Sequence, residues 1–209
     1  MTDVALAGLS IADPPERWAA LGFHVRDGQI KANSVMLTLG IAPPGGGIVG
    51  WTLAGAGGEG DVSGLPTRWV EPGSGMDRLA PAAGGGIGSL DHVVVATPAF
   101  DAFATELGER GVGLRRVAEV RGTRMGFRRL GGPILEVVEA PEAPATAFWG
   151  VTFAMRGPPG GVESLDALCA RNRFVGEPRP AVQPGRRIAT VAREAGLSTR
   201  VAFIDPVPR

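Results

Sequence analysis

One pattern recurs along this chain and limits what it can fold into: an apolar strand closed by a proline, a short helix, then further strands. The clearest copy opens at Leu90-Asp91-His92-Val93-Val94-Val95-Ala96-Thr97-Pro98 and closes at Ile134-Leu135-Glu136-Val137-Val138-Glu139-Ala140-Pro141. A second copy runs from Phe148-Trp149-Gly150-Val151-Thr152-Phe153 to Val201-Ala202-Phe203-Ile204-Asp205-Pro206. A fainter third begins at Leu6-Ala7-Gly8-Leu9-Ser10-Ile11 and ends near Leu53. Internal repeats fix the architecture before any motif is weighed, because each copy must bury the same face against its neighbours. Only the central copy carries a His near the start of its first strand and a Glu within its last.

Within the central copy, the β-branched run Val93-Val94-Val95 predicts a buried strand that Thr97-Pro98 ends. Phe100, Phe103, Ala104 and Leu107 recur at helical spacing, with Gly108 and Gly111 near the helix end. Residues 115–120, 123–130 and 133–138 then predict three strands, with Gly131-Gly132 in the last hairpin turn. The later copy repeats the order: a helix near 162–171 and strands near 180–183, 187–191 and 200–204. The first copy places its helix at 15–21, a hairpin at Arg26-Asp27-Gly28, and strands over 29–39 and 48–53.

The 33 glycines and 18 prolines cluster between these apolar segments, so they act as punctuation. The longest such stretch holds Gly57-Gly58, Gly73-Ser74-Gly75 and Gly84-Gly85-Gly86. It reads as a linker over 56–87 whose Trp69 packs against a neighbouring surface. The expected organisation is therefore a degenerate N-terminal unit over 1–55, the linker, and two paired units over 88–209. Only residues 142–146 join those two units, and short connections favour neighbours in space. The first unit is expected either to extend their sheet or to pair with its own copy in a second chain, since an open strand edge is a liability.

A chain of 209 residues that is 44% hydrophobic can bury a substantial core. The start, Met1-Thr2-Asp3-Val4-Ala5, has no basic leader, and no apolar run reaches the roughly 20 residues that cross a bilayer. A cytoplasmic protein with no membrane partner is expected. Twenty-one basic side chains balance 21 acidic ones, and Lys31 is the only lysine. Zero formal charge without a basic, aromatic-interleaved stripe argues against nucleic acid. The lone Cys169 excludes an internal disulfide and a multi-cysteine zinc site, and its helical setting favours a packed thiol. Gly84-Gly85-Gly86-Ile87-Gly88 precedes a strand instead of following one, so it lacks the context of a dinucleotide loop. No Gly-x-Ser-x-Gly elbow is present.

The strand-helix-three-strand unit, opening with Leu90-Asp91-His92-Val93 and closing with Ile134-Leu135-Glu136-Val137-Val138, resembles the vicinal oxygen chelate superfamily. That group includes glyoxalases, bleomycin-resistance proteins and dioxygenases, and the chain looks most like a glyoxalase-like branch of it. The resemblance covers 88–206 well and 4–54 weakly. It implies an α+β fold in which repeated βαβββ units form a curved mixed sheet with an open cup, helices outside. It further implies a divalent metal (Zn, Fe, Mn, Ni or Co) held by first-strand and last-strand side chains, and His92 and Glu136 match those ligand positions.

Strand alternation puts His92, Val94 and Ala96 on one face, and Ile134, Glu136 and Val138 on one face of the last strand. The later copy aligns Gly150 and Ala202 at the corresponding positions, so the ligand set is incomplete. Two readings stay open: a metal pair with Glu136 also moving protons, or a histidine bonded to a buried carboxylate. Arg124, Arg128, Arg129, Arg186 and Arg187 are candidates to hold an anionic substrate, and Phe127, Trp149 and Met125 to line an apolar wall. Of these, Arg124, Phe127, Trp149 and Arg187 are the expected substrate-binding residues. The implied function is a cup for a small organic molecule with metal-assisted lyase or isomerase chemistry. The alternative is a metal-free binding or sequestering protein of the bleomycin-resistance type; a homodimer is the expectation where the first unit pairs with its copy in a second chain.

Overall fold

The computed structural model describes residues 4–41, 46–55, 59–73 and 83–207. Met1, Thr2 and Asp3, and Gly57-Gly58 and Ser74-Gly75 of the expected linker, lie outside them.

The C-terminal part forms an eight-stranded sheet. Its elements are β6 (Ile87–Thr97), α2 (Phe100–Glu109), β7 (Arg116–Val120), β8 (Thr123–Arg129) and β9 (Ile134–Glu139). They are followed by β10 (Ala147–Met155), α3 (Leu165–Arg171), β11 (Arg179–Pro180), β12 (Arg187–Thr190) and β13 (Arg200–Ile204). The strand order is β11-β12-β13-β10-β6-β9-β8-β7. β6 runs parallel to β9 and β10 parallel to β13, while β6 and β10 pair antiparallel at the centre. Each half is thus one βαβββ unit, and the two share one open sheet.

Side-chain alternation gives this sheet two unlike faces. Val93, Val95, Leu135, Val137, Val151, Phe153, Val201 and Phe203 are buried and point to the helical side. There α2 buries Phe100, Phe103 and Leu107, which its periodicity requires, and α3 buries Leu165 and Leu168. Ser164 starts α3 by accepting from the Ala167 amide at 3.2 Å.

The N-terminal part differs from the single leftover unit expected. β1 (Ala5–Ile11), α1 (Pro15–Ala20), β2 (Gln29–Ala32), β3 (Val35–Thr38), β4 (Ile48–Ala54) and β5 (Thr67–Val70) form their own five-stranded sheet, ordered β2-β3-β1-β4-β5. It does not extend the larger sheet. β4 does not close the first unit either: it pairs antiparallel with β1 from the other side and parallel with β5. β1 and β4 therefore repeat, in reduced form, the central antiparallel pair β6 and β10. The edge strand β5 comes from inside the stretch read as linker. Its Trp69 is half-buried against the core and donates its indole N–H to the Gly60 carbonyl at 3.0 Å.

The two sheets share one core. From α1 and the turn after it, Trp18 and Phe23 pack edge-on against Phe153, with centroids at 6.1 and 4.8 Å, and Trp51 of β4 meets Phe148 at 5.4 Å. A glycine run makes the close crossing between them. Gly84 and Gly86 sit at φ of 86° and 76°, and a Cβ there would fall 2.5 Å from the His24 ring and 2.8 Å from the Glu163 backbone.

Asp13, 2% exposed, reaches across from the first part and accepts from the Ser198 and Thr199 amides at 2.6 and 3.0 Å. Asp13→Ala leaves the buried Thr199 amide and the part-buried Ser198 amide without their acceptor, so it is expected to lower stability by about 1–3 kcal/mol. Urea unfolding followed by fluorescence and circular dichroism should show one coincident transition shifted to lower urea. Two separate transitions would mean that the sheets fold independently.

Candidate functional site

The face of the large sheet opposite the helices is concave, and it encloses a cavity of about 800 Å³. Ladder pairing lays its side chains out in rows. One row reads Arg200, Gly150, Val94, Glu136, Phe127, Arg116 across six strands. The next holds Ala202, Thr152, His92 and Ile134. His92, Val94, Glu136, Trp149, Thr152, Arg200 and Ala202 all line the cavity.

Simple alternation would send Asp91 and His92 to opposite faces. The pairing prevents this, because Thr152 and Phe153 of β10 face His92 and Leu90, leaving Asp91 as an extra residue on β6. Such a bulge re-aims a side chain. The Asp91 carboxylate comes to 3.0 Å from His92 Nδ1, and Arg186 donates to its other oxygen at 2.8 Å. Arg186 is itself 7% exposed and held by Nε donation to the Asp205 carbonyl at 2.7 Å. With Nδ1 donating to Asp91, the neutral imidazole presents Nε2 as an acceptor to the cavity. Glu136 Oε2 lies 3.9 Å from that nitrogen.

The two carboxyls respond to burial differently. For Asp91, burial alone would raise the pKa, but hydrogen bonds from His92 and Arg186 and their charges hold it below the usual carboxylate range. Glu136 accepts no such bonds. Burial pushes its carboxyl up, the His92 ring opposes this, and the Asp91 charge reinforces it.

The sequence-derived candidates separate by face. His92, Glu136 and Trp149 line the cavity, and Phe127 stands beside Glu136 in its row. Arg124 and Arg187 do not reach it. Arg124 lies on the helical side, 4.3 Å over the Phe100 ring and bonded to Asp101 at 2.6 Å. Arg187 is forked between Asp166 of α3 and Asp205. Each guanidinium is committed to carboxylates that tie a helix or strand end to the sheet, so an anion-holding role passes to other residues. Of the remaining arginine candidates, Arg128 is buried on the helical side and Arg129 donates to the Gly132 carbonyl. His24 is exposed beyond α1, away from the cavity.

Whether a divalent metal fits can be tested on the donors. A catalytic ion takes about three protein ligands. Among the described residues no group of three His, Cys, Asp or Glu side chains is placed to hold one. Asp91 is turned to the far nitrogen of His92, which leaves His92 and Glu136. The matching position on β10 cannot be refilled, since a Cβ on Gly150 would lie 2.5 Å from the Arg200 carbonyl oxygen. The set stops at half, and the residues present do not fit a resident metal.

No family model matches the chain, and no curated protein does. Solved structures are similar to it. Methylmalonyl-CoA epimerase from Mycobacterium tuberculosis superposes with a TM-score of 0.47 at 16% identity, over 59% of this chain and 91% of that one. Methylmalonyl-CoA epimerase from Streptomyces coelicolor gives 0.43 at 15% identity, over 57% and 97%. A xylose isomerase-like TIM barrel/4-hydroxyphenylpyruvate dioxygenase fusion protein gives 0.56 at 15% identity, over 96% of this chain and 49% of that one. This chain spans about half the length of that fusion protein. At 15% identity, the likeness to the fusion protein is one of fold. Among the described residues no helix is long and apolar enough to cross a membrane.

The carboxyls give opposite pH linkage. Asp91, lowered on folding, contributes stability that is present above its unfolded pKa and lost as pH falls through its folded value. Glu136, raised on folding, contributes stability present below its unfolded pKa and lost as pH rises through its folded value. Urea midpoints of wild type and Glu136→Gln, measured from acid to neutral pH, should converge toward the acid end and diverge in favour of the variant above the ordinary glutamate range. Parallel curves would show that Glu136 titrates normally.

Proposed function

We propose that the cup binds a small organic molecule and that His92 and Glu136 move a proton on it, giving isomerase or lyase chemistry without a resident metal. The observation that carries this reading is the bulge at Asp91. A histidine meant only for packing needs no oriented carboxylate on Nδ1, whereas a base does, because the contact fixes the tautomer that exposes an acceptor nitrogen to the cavity.

The step is a proton transfer at a carbon beside a carbonyl. His92 Nε2 takes the proton from carbon, and the C–H electron pair moves into the carbonyl π system to give an enol or enolate. A proton then returns to carbon, from the imidazolium or from the Glu136 carboxyl, and the C–H bond re-forms with no net change in oxidation state. Asp91 faces the imidazolium formed in the first half and stabilises it, and Arg186 keeps Asp91 in place. The raised proton affinity of Glu136 suits it to hold and return a proton nearer neutral pH than a solvated glutamate would.

Proton NMR in D2O tests this directly with pyruvate, 2-oxobutyrate and 2-oxoglutarate as probes. Protein-dependent loss of a C3 proton signal is expected for at least one of them, unchanged after chelator treatment. His92→Gln should slow it by about 10²–10⁴-fold. Exchange that requires a stoichiometric metal would restore the metal-assisted reading. Saturable binding with no exchange would leave the protein as a binding module.

A further inference from the structure

The same cup contains a cation that the sequence did not single out. Arg200 is the first residue of β13, paired with Gly150 on β10, and therefore stands in the row of Val94 and Glu136. Two features bring it over the cup. Gly150 has no side chain, and it needs none, because the Arg200 Cβ lies only 2.9 Å from where a Gly150 Cβ would be. Trp149 is the extra residue of a second bulge, since Val95 and Val94 of β6 face Phe148 and Gly150. That bulge swings the indole to the rim, where the Arg200 guanidinium lies 4.7 Å above its ring.

Stacking on an aromatic face holds a guanidinium without using its N–H groups, so the donor fork stays available. Arg124, Arg129, Arg186 and Arg187 are instead bonded to carboxylates or carbonyls, and Arg128 is packed on the helical side, while Arg116 lies over the Phe127 ring at the far end of the row. Arg200 has no carboxylate partner among the described residues, and Arg193, from the 3-10 turn before β13, lines the same cavity in the same condition. Arg193 and Arg200 thus line the same cavity as His92 and Glu136, and along the sheet Gly150 and Thr152 of β10 lie between Arg200 on β13 and the His92 and Glu136 pair on β6 and β9. Three strand spacings separate Arg200 from Glu136 along the row, about 14 Å between backbones. The Arg200 Cβ stands close beside the bare Gly150 backbone on β10, and the guanidinium ends above the Trp149 ring.

We propose that Arg200 is the anion-binding residue of the cup. The substrate class is then a small organic acid, carboxylate or phosphate, with its charged end on Arg200 and its acidic carbon toward His92. The proposal rests on the reading that the cup takes a small organic molecule, and it adds the charge and the orientation of that molecule. A guanidinium in this position also offsets negative charge developing on the substrate, which is where a metal's positive charge would otherwise be used.

The test titrates acetate and inorganic phosphate separately into the ¹⁵N-labelled full chain and follows amide shifts. Saturable shifts in the millimolar range are expected at Gly150, Thr199 and Ala202 with at least one of the two anions, and which one responds distinguishes carboxylate from phosphate recognition. Arg200→Gln should weaken the response about tenfold or more, as loss of a charge-assisted fork does, and Arg200→Lys should recover part of it. Arg116→Gln, at the far end of the same row, should leave it unchanged. No saturable shift with either anion, an Arg200→Gln response within twofold of wild type, or an equal loss in Arg116→Gln would overturn the proposal. Intact anion binding without proton exchange on the oxo acids overturns the catalytic reading alone. Exchange on the oxo acids that survives Arg200→Gln overturns this one alone.

Discussion

The pairing of β6 with β10 is the interaction on which the rest of the molecule depends. It joins two βαβββ units into one sheet, and its irregularities decide the chemistry of the cup. Where the strands pair flush, Val93, Val95, Val151 and Phe153 feed the helical-side core and the concave face stays open. Where they do not, one extra residue changes what a neighbour can do. Asp91 turns to hold His92, and Trp149 turns to support Arg200. Burial supplies the stability of this sheet, and two bulges supply its two polar ends.

Much of this was legible in the sequence. Period-two alternation put His92 and Glu136 on the concave face, and helical spacing placed Phe100, Phe103 and Leu107 on the buried face of α2. What could not be read is what depends on a partner strand. Nothing in Leu90-Asp91-His92 announces a bulge, because the extra residue is defined only against Thr152 and Phe153. Arg124 and Arg187 have the right charge, but their faces follow from strand registers, and their carboxylates come from α2, α3 and Asp205. Arg200 was within reach: it precedes Ala202 by two residues, so alternation assigns it the face already given to Ala202. Strand β5 was hidden by composition, since four residues in a Gly- and Pro-rich stretch carry too short a pattern to stand out.

The first sheet shows how the same plan behaves without the site. β1 and β4 pair as β6 and β10 do, and Thr52 and Gly50 face Gly8 and Ser10 as Thr152 and Gly150 face His92 and Val94. Gly8 and Thr38 hold the register positions of His92 and Glu136. That sheet contributes instead to packing. Its Trp18 and Phe23 lie in the aromatic cluster against β10, and Asp13 fastens the backbone just before Arg200. The wall of the cup is therefore anchored from outside the unit that forms it.

The bulge at Asp91 also changes what kind of genetic event could make or unmake this site. Substitution alters one side chain and leaves the strand's count of peptide units alone. A one-residue deletion at position 91 would remove a surface-poor, uncatalytic-looking aspartate while keeping every apolar residue of β6. It would also let Leu90 and His92 pair in consecutive register with Phe153 and Thr152, and the imidazole would lose the acid that orients it. The function proposed for His92 is thus encoded partly in chain length, in the one residue that β6 has beyond what β10 can pair.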